Sequence, residues 1–252
     1  MLKEQTPFSP SEGFPKSDLP ALGMEYSMRH FAEQMSAGPL NQFLLPFAKK
    51  DAVLEESFVL KNLLTRGWQS ITQIDQGHFY LDGNFSFALG YKRGKKQKPL
   101  WIAVASIATG KISKEYQSAL VNRGVETNYD PQLPLVVQLQ GPSRWSYTSD
   151  RHLPQAKKVL RKFKWERSLV ALVLDWAERN NVPSVHLVPS ELVQQMNITE
   201  PTDEDEPDKT ENRRRLKEAE RLYMRYNVTA KRMGFKRQGE GFFKKEIRQE
   251  IA

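Results

Sequence analysis

The sequence predicts an α/β chain of the α+β type, with a mixed, mostly antiparallel central sheet flanked by helices. Three observations carry that expectation. From Trp68 onward the apolar spacing changes from helical to extended and stays so for several short runs. Leu133–Gln140 then reads as one strand running into Gly141, followed by the longest helical segment, Gln155 to Asn181. The chain finishes on a helix, a glycine stop and a hairpin. Leu216, Ala219, Tyr223, Tyr226, Ala230 and Met233 recur at helical steps, Gly234 follows, and Phe235–Gln238 and Phe242–Lys245 flank Gly239-Glu-Gly241.

Taken in order, residues 1–20 hold four prolines and no periodicity, and read as a flexible tail. The remainder, 21–252, reads as a single domain that starts with a helical extension over 21–66. Within it Leu22–Met35 and Ala52–Leu64 can each be written as helices, separated by Gly38-Pro39, with Asp51 as a candidate N-cap for the second. Ser70–Ile74 and His78–Leu81 look extended, and Asp82-Gly83-Asn84 supplies turn chemistry. Phe85–Leu89 and Leu100–Ile107 are strands on either side of a charged hairpin loop, Lys92 to Lys98, for which DNA contact is the alternative. Lys114–Arg123 reads as a short helix. Gln155–Asn181 is amphipathic in its first half and apolar nearly all round from Ser168 to Ala177, the pattern of a buried helix, with a break indicated near Lys164-Trp165. Val185–Val188 is a short strand. Residues 197–211, centred on Thr202–Asp208, are acidic and poor in apolar groups and read as a disordered insertion.

Composition narrows the function classes. With 39% hydrophobic and 27% charged residues and no run near the ~18 apolar residues of a membrane helix, the chain reads as soluble. Its first residues lack the apolar core of a secretory or transit peptide, so a cytoplasmic protein is expected. The absence of cysteine excludes disulfides, thiol nucleophiles and thiolate metal ligands, and the four histidines (30, 78, 152 and 186) show no metal-ligand spacing. A net charge of +8 points to an anionic partner: 13 Lys or Arg stand against 4 Glu between Asn212 and Arg248. Solvated helix faces account for the same pattern.

Two further side chains stand out. His186, on a short strand, could be aimed into a cleft as a base for an amine, or tied down by a neighbouring carbonyl; Glu191, just beyond that strand, is a catalytic candidate on the same footing. Trp145 and Tyr147, beside Arg144, could line an acceptor or nucleobase site or plug the end of the sheet.

The order of elements resembles the GNAT acyltransferase superfamily, in three places. Val137-Gln138-Leu139-Gln140-Gly141-Pro142-Ser143 is similar to the family's acyl-CoA signature, Gln/Arg-x-x-Gly-x-Gly/Ala. Trp165 to Leu187 looks like the helix and strand that follow it. Ala230-Lys-Arg-Met-Gly234-Phe235 is similar to the Gly-Phe end of the last family helix. The resemblance implies acetyl-CoA or another acyl-CoA as cofactor and an amine as acceptor. The backbone of Val137 to Gly141, with Ser143 and Arg144, would cradle the pyrophosphate, and Lys157, Lys158 and Arg161 downstream would meet the remaining phosphate. It also implies a splayed pair of strands that leaves room for the pantetheine arm beside Leu135–Gln140. Where the family often places a proton-donating tyrosine this chain has Ala230, and Tyr226, one turn earlier on the same face, is the substitute. A GNAT-like scaffold without catalysis, binding nucleic acid or an acidic protein through its basic helices, is the rival expectation. A third is that the acidic Thr202–Asp208 segment folds back and masks those helices.

Overall fold

The computed structural model describes residues 19–36, 39–50, 57–64, 70–74, 77–92, 98–125, 129–142, 152–197, 209–239 and 241–247, together with Ala52, Leu54 and Thr127. The tail expected over 1–20 lies outside these residues except for Leu19 and Pro20, and the acidic insertion does so except at its two ends.

Strands β1 (Ser57–Leu64), β4 (Phe85–Lys92), β5 (Leu100–Ala108), β6 (Leu135–Gln140), β7 (Ser184–Leu187), β8 (Lys236–Arg237) and β9 (Phe243–Glu246) form one seven-stranded sheet in the order β1-β4-β5-β6-β7-β9-β8. Every pairing is antiparallel except β6 with β7. Strands β2 (Ser70–Ile74) and β3 (Gly77–Leu81) make a separate antiparallel pair. The fold is therefore α+β with a mostly antiparallel mixed sheet, as the change of period predicts.

One expected element is of the other type. Ala52–Leu64 can be written as a helix, but Ser57–Leu64 is β1, the sheet's edge strand, so the extension over 21–66 is not helical throughout. Phe58, Leu60 and Leu63 are buried while Ser57, Lys61 and Leu64 are exposed. An apolar run this short fits either period, and pairing with β4 along its whole length decides between them. Asp51, the proposed cap, lies outside the described residues.

Helix α1 (Leu19–Ser36) buries Met28, Phe31, Ala32 and Met35, and the rings of Phe31 and Phe87 stand 5.6 Å apart. After α2 (Pro39–Leu44) and a single 3-10 turn, Leu45–Phe47, the chain passes beside the break in the long helical segment. That segment is two helices, α4 (His152–Leu160) and α5 (Trp165–Arg179). The break is held by backbone bonds from outside: Lys164 N–H donates to Phe47 O at 2.9 Å, and Lys49 N–H donates to Lys162 O at 2.8 Å. Phe163 at the break is 1% exposed and meets Phe58 edge-on at 5.4 Å. Helix α5 buries Leu169, Val170, Leu172, Val173, Leu174, Trp176 and Ala177, and the Trp176 indole N–H donates to Ser27 Oγ at 3.1 Å, joining it to α1.

Helix α3 (Gly110–Val121) connects β5 to β6, and α6 (Ser190–Asn197) follows β7. The last helical stretch, expected as one helix, is α7 (Lys209–Arg225) and α8 (Asn227–Arg232), separated at Tyr226. It ends as the sequence predicts: Gly234 has φ +78°, Phe235 N–H bonds Ala230 O at 3.0 Å, and β8 and β9 close the sheet. A β-carbon at Gly234 would meet nothing nearer than Lys245 Nζ at 3.8 Å, so space is not the constraint there. Gly234→Ala therefore lowers stability by about 1 kcal/mol, through backbone conformation alone. Urea unfolding reads this, and an unchanged midpoint would show the turn to be adaptable.

Candidate functional site

The site grows from β6. On one side this strand pairs with β5, but the register runs Ser106↔Gln138 and then Ile107↔Val136, leaving Val137 without a partner. One extra residue in one strand is a β-bulge, which bends the strand and re-aims the backbone beside it. On the other side β6 pairs with β7 only at Leu135↔His186 and Val136↔Leu187. The flanking bonds are His186 N–H to Pro134 O at 2.8 Å and Val188 N–H to Val136 O at 3.1 Å. Beyond them β6 continues to Gln140, while the other chain turns through Pro189 into α6. The parallel pair thus parts at the bulge.

Side chains from the kink between α7 and α8 enter this opening. Leu139 N–H donates to Tyr226 Oη at 2.8 Å, and the Arg225 guanidinium donates to Leu139 O at 3.2 Å. Tyr226 is 1% exposed. A strand edge left without a neighbouring strand keeps its polar groups satisfied in this way. Burial raises the Tyr226 hydroxyl to about 12, only partly offset by the Leu139 hydrogen bond and the Arg225 charge, so it stays protonated at neutral pH.

Asp82 belongs to the same neighbourhood. It opens the turn between β3 and β4, and the next residue, Gly83, lies so close to β5 that a β-carbon there would stand 2.3 Å from Ile107 O. Asn84 Oδ1 accepts Thr109 N–H at 2.9 Å and fixes the other end of the turn. Because Ile107 is paired with Val136, the turn lies against β5 close to the bulge. Burial pushes the Asp82 carboxyl up to about 6. Tyr116, on α3, is raised well above the usual tyrosine value, by burial first and then by Tyr226, Asp82 and Tyr129. Tyr129 is raised to about 12 by burial and is held by Ser113, whose carbonyl accepts its hydroxyl at 2.6 Å. Asp82 and Tyr226, from distant parts of the chain, thus both lie near enough to Tyr116 to act on its hydroxyl.

The predicted phosphate cradle is described only in part. Val137 and Leu139 bury their side chains, Gln138 Oε1 accepts Ser106 Oγ–H at 3.1 Å, and Gln140 Oε1 is buried without a partner among the described residues. Gly141 packs against Trp165, whose ring would lie 3.1 Å from a β-carbon at that position. Ser143 and Arg144, with Trp145 and Tyr147, lie outside the described residues. Lys157, Lys158 and Arg161 are exposed near the end of α4. The cation brought to the end of β6 is Arg225, which sits 5.5 Å over the Trp165 ring and lowers the Glu166 carboxyl, although burial outweighs it there and keeps that acid raised.

His186 and Glu191 are placed in structural roles. His186 is 4% exposed and stacks obliquely on Tyr129 at 5.8 Å. Burial, then the Lys244 charge, lowers it to about 4, so it is neutral at pH 7 and a poor acceptor of an amine's proton. Among the described residues its Nδ1 is buried without a partner, whereas a neighbouring carbonyl was the tether the sequence suggested. Glu191 starts α6 and receives Asn227 Nδ2 at 3.2 Å and Arg237 at 3.3 Å, and Asn227 Oδ1 accepts Ser190 N–H at 2.9 Å. Burial acts to raise Glu191, but its own backbone N–H, Asn227 and Arg237 prevail and hold it below the usual range. The pair clamps α6 to α8 and the terminal hairpin.

Asp82, Tyr116 and Arg225 are the residues that sequence reasoning missed. Asp82 sits in an Asp-Gly-Asn turn, where turn chemistry explains it fully, and Arg225 is one of many cations on a basic helix. Adjacency to Tyr226 was the one available signal for Arg225. Among the described residues no group of three or more His, Cys, Asp or Glu is placed to hold a metal ion, and no helix is long and apolar enough to cross a membrane. Compared with known proteins, the chain matches no family model, no curated protein and no solved structure.

Proposed function

We propose that this chain is a divergent GNAT-type N-acyltransferase of the cytoplasm, moving the acyl group of acetyl-CoA or another acyl-CoA to an amine. The observation that supports the reading is the parting of β6 from β7 at the Val137 bulge. The resemblance calls for a parting of this kind to admit a pantetheine arm. Acyl-CoA supplies an activated thioester when bound. The β6 backbone from Val137 onward is the edge that would align it, and a backbone N–H there would stabilise charge developing on the acyl oxygen. Tyr226, protonated at neutral pH and within the opening, is the hydroxyl available to a departing thiolate. Arg225, at the end of β6, would face the anionic half of the cofactor.

Calorimetric titration with acetyl-CoA is the test. Saturable binding that weakens at least tenfold in Arg225→Ala supports the reading; no heat and no thermal shift at millimolar ligand would sink it.

One observation favours a second reading, a scaffold of the same fold without catalysis. Both backbone groups of Leu139 are already taken by Tyr226 and Arg225, so a pantetheine arm would have to displace them. The same scaffold exposes Leu216, Tyr223 and Met224 on α7 among basic side chains, a surface suited to an anionic partner. Binding to single-stranded oligonucleotide that falls steeply with salt, with no response to acetyl-CoA, would select this reading.

A further inference from the structure

We propose that the backbone bridge between the Leu45–Phe47 turn and the break after α4 builds a binding surface for single-stranded nucleic acid, with basic side chains for its phosphates and a phenylalanine for its bases. The inference does not depend on the acyltransferase reading, and it uses elements other than α7.

Backbone geometry gathers the charge. Ala48 and Phe163 form an isolated antiparallel bridge, closed by Lys49 N–H on Lys162 O at 2.8 Å and Lys164 N–H on Phe47 O at 2.9 Å. Successive residues of an extended segment point to opposite sides, and residues opposite one another share a side. Phe163 is 1% exposed and points inward, so Lys49 and Lys162 face outward together, as do Phe47 and Lys164. One turn earlier, α4 buries Ala156, Val159 and Leu160 and turns Lys157, Lys158 and Arg161 to the other side. Two segments far apart in the chain thus bring their cations into one patch.

Nothing among the described residues answers this charge. Lys49, Lys50, Lys157, Lys158, Arg161 and Lys164 are exposed, and none of the six is in an ion pair with a described residue. Elsewhere exposed cations have acids: Arg29 meets Glu25, Lys111 meets Glu115 and Arg179 meets Asp175. Glu166, the acid that bears on Lys49, is half-buried and kept raised by its burial. Arg161 stands three and four residues after Lys158 and Lys157, the helical steps at which like charges repel. An anion laid across the patch removes that repulsion.

Rings select the kind of anion. Phe43 and Phe47 are half-buried, 5.9 Å apart and tilted by 34°, and Phe47 lies opposite Lys164 on the outward side. A partly open ring among cations offers an unpaired base a face to stack on. A duplex has no free base to lay there, and an acidic side chain brings no ring. A membrane surface calls for a broader apolar face, whereas within residues 39–50 Leu45 is the large apolar side chain that is exposed.

Fluorescence anisotropy of the full chain with labelled oligouridylate and oligothymidylate is the test, the tighter of the two identifying the sugar. Wild type should bind with a slope of about −4 in log K against log salt, about 0.7 for each of the six cations. Lys49→Gln with Lys50→Gln, and separately Lys158→Gln with Arg161→Gln, should each weaken binding about tenfold and make the slope shallower by about 1.4. Phe47→Leu should weaken binding about fivefold and leave the slope unchanged. Lys217→Gln with Arg221→Gln, on α7, should bind as wild type does. An unchanged melting temperature confirms the fold of each variant. No binding by wild type overturns the proposal, and so does wild-type affinity in Phe47→Leu, which would make the patch a general polyanion site. Loss in the α7 variant alone overturns it in favour of the α7 surface. Displacement by an equal concentration of acetyl-CoA overturns it by reducing the patch to a cofactor phosphate site. Sedimentation with phosphatidylserine vesicles that needs Lys49 and Lys50, with no oligonucleotide bound, would make it a membrane surface instead.

Discussion

Replacing Tyr226 by alanine lowers the stability of the protein by about 5 kcal/mol. Truncating a fully buried aromatic side chain costs about 3–5 kcal/mol through lost contacts and the cavity left behind. Tyr226 is 1% exposed and sits at the α7–α8 kink. The alanine variant also strips Leu139 N–H of its acceptor, a loss of about 1–3 kcal/mol for a buried donor. Domains of this kind are stable by about 5–15 kcal/mol, so this variant is near the limit of folding. Tyr226→Phe keeps the ring and isolates the hydrogen bond, with an expected loss of about 1–3 kcal/mol. Urea denaturation of both variants is the measurement. A phenylalanine variant as stable as wild type would mean that water serves Leu139 equally well, and the opening would then be wetter than the fold indicates.

The second large effect is a pH dependence. The Asp82 carboxyl is raised from 3.8 to about 6 in the folded chain, so the folded state holds this proton more tightly than the unfolded state does. Its contribution is fully present below about pH 4, shrinks as pH rises, and is absent above about pH 6. Two units correspond to roughly 3 kcal/mol, and because the side chain keeps some contact with solvent about 2 kcal/mol is the better figure. Asp82→Asn should therefore be more stable than wild type by about 2 kcal/mol at pH 8 and close to it at pH 4. Only the difference between the two proteins is diagnostic, because other carboxylates titrate in the same window. A difference that does not change with pH would show that Asp82 is solvated.

The two effects meet in one place, and this place was only half legible in the sequence. Tyr226 stood out because it lies one turn before Ala230 on the stripe that ends at Gly234. The strand Leu135–Gln140 stood out as an apolar run into glycine. Both are local patterns, and both are where the sequence put them. What Tyr226 touches is not local: its partner Leu139 is 87 residues away. His186 shows the converse. Its residue type and its place on a strand suggested a base, but burial beside Tyr129, and then the charge of Lys244, its paired neighbour on β9, make it a neutral buried ring. Glu191, the other catalytic candidate, is held by Asn227 and Arg237, contacts that no local pattern announces.

By itself, the sequence determined the α+β class, the buried second half of the long helical segment, the antiparallel β4–β5 hairpin and the helix, glycine stop and hairpin at the end. Each rests on spacing within a few residues, or on a glycine where the backbone needs positive φ, as at Gly234. The tertiary structure alone decided that Ser57–Leu64 is a strand and that β6 parts from β7 at Val137, and it alone showed what holds the expected break in the long helix, the backbone bonds from Phe47 and Lys49. The same is true of the nearness of Asp82 and Tyr226 to Tyr116. The physical reason is common to all of them. Edge pairing, a bulge and a desolvated carboxylate are set by which distant segment lies alongside, and burial by remote chain is what changes a residue's chemistry.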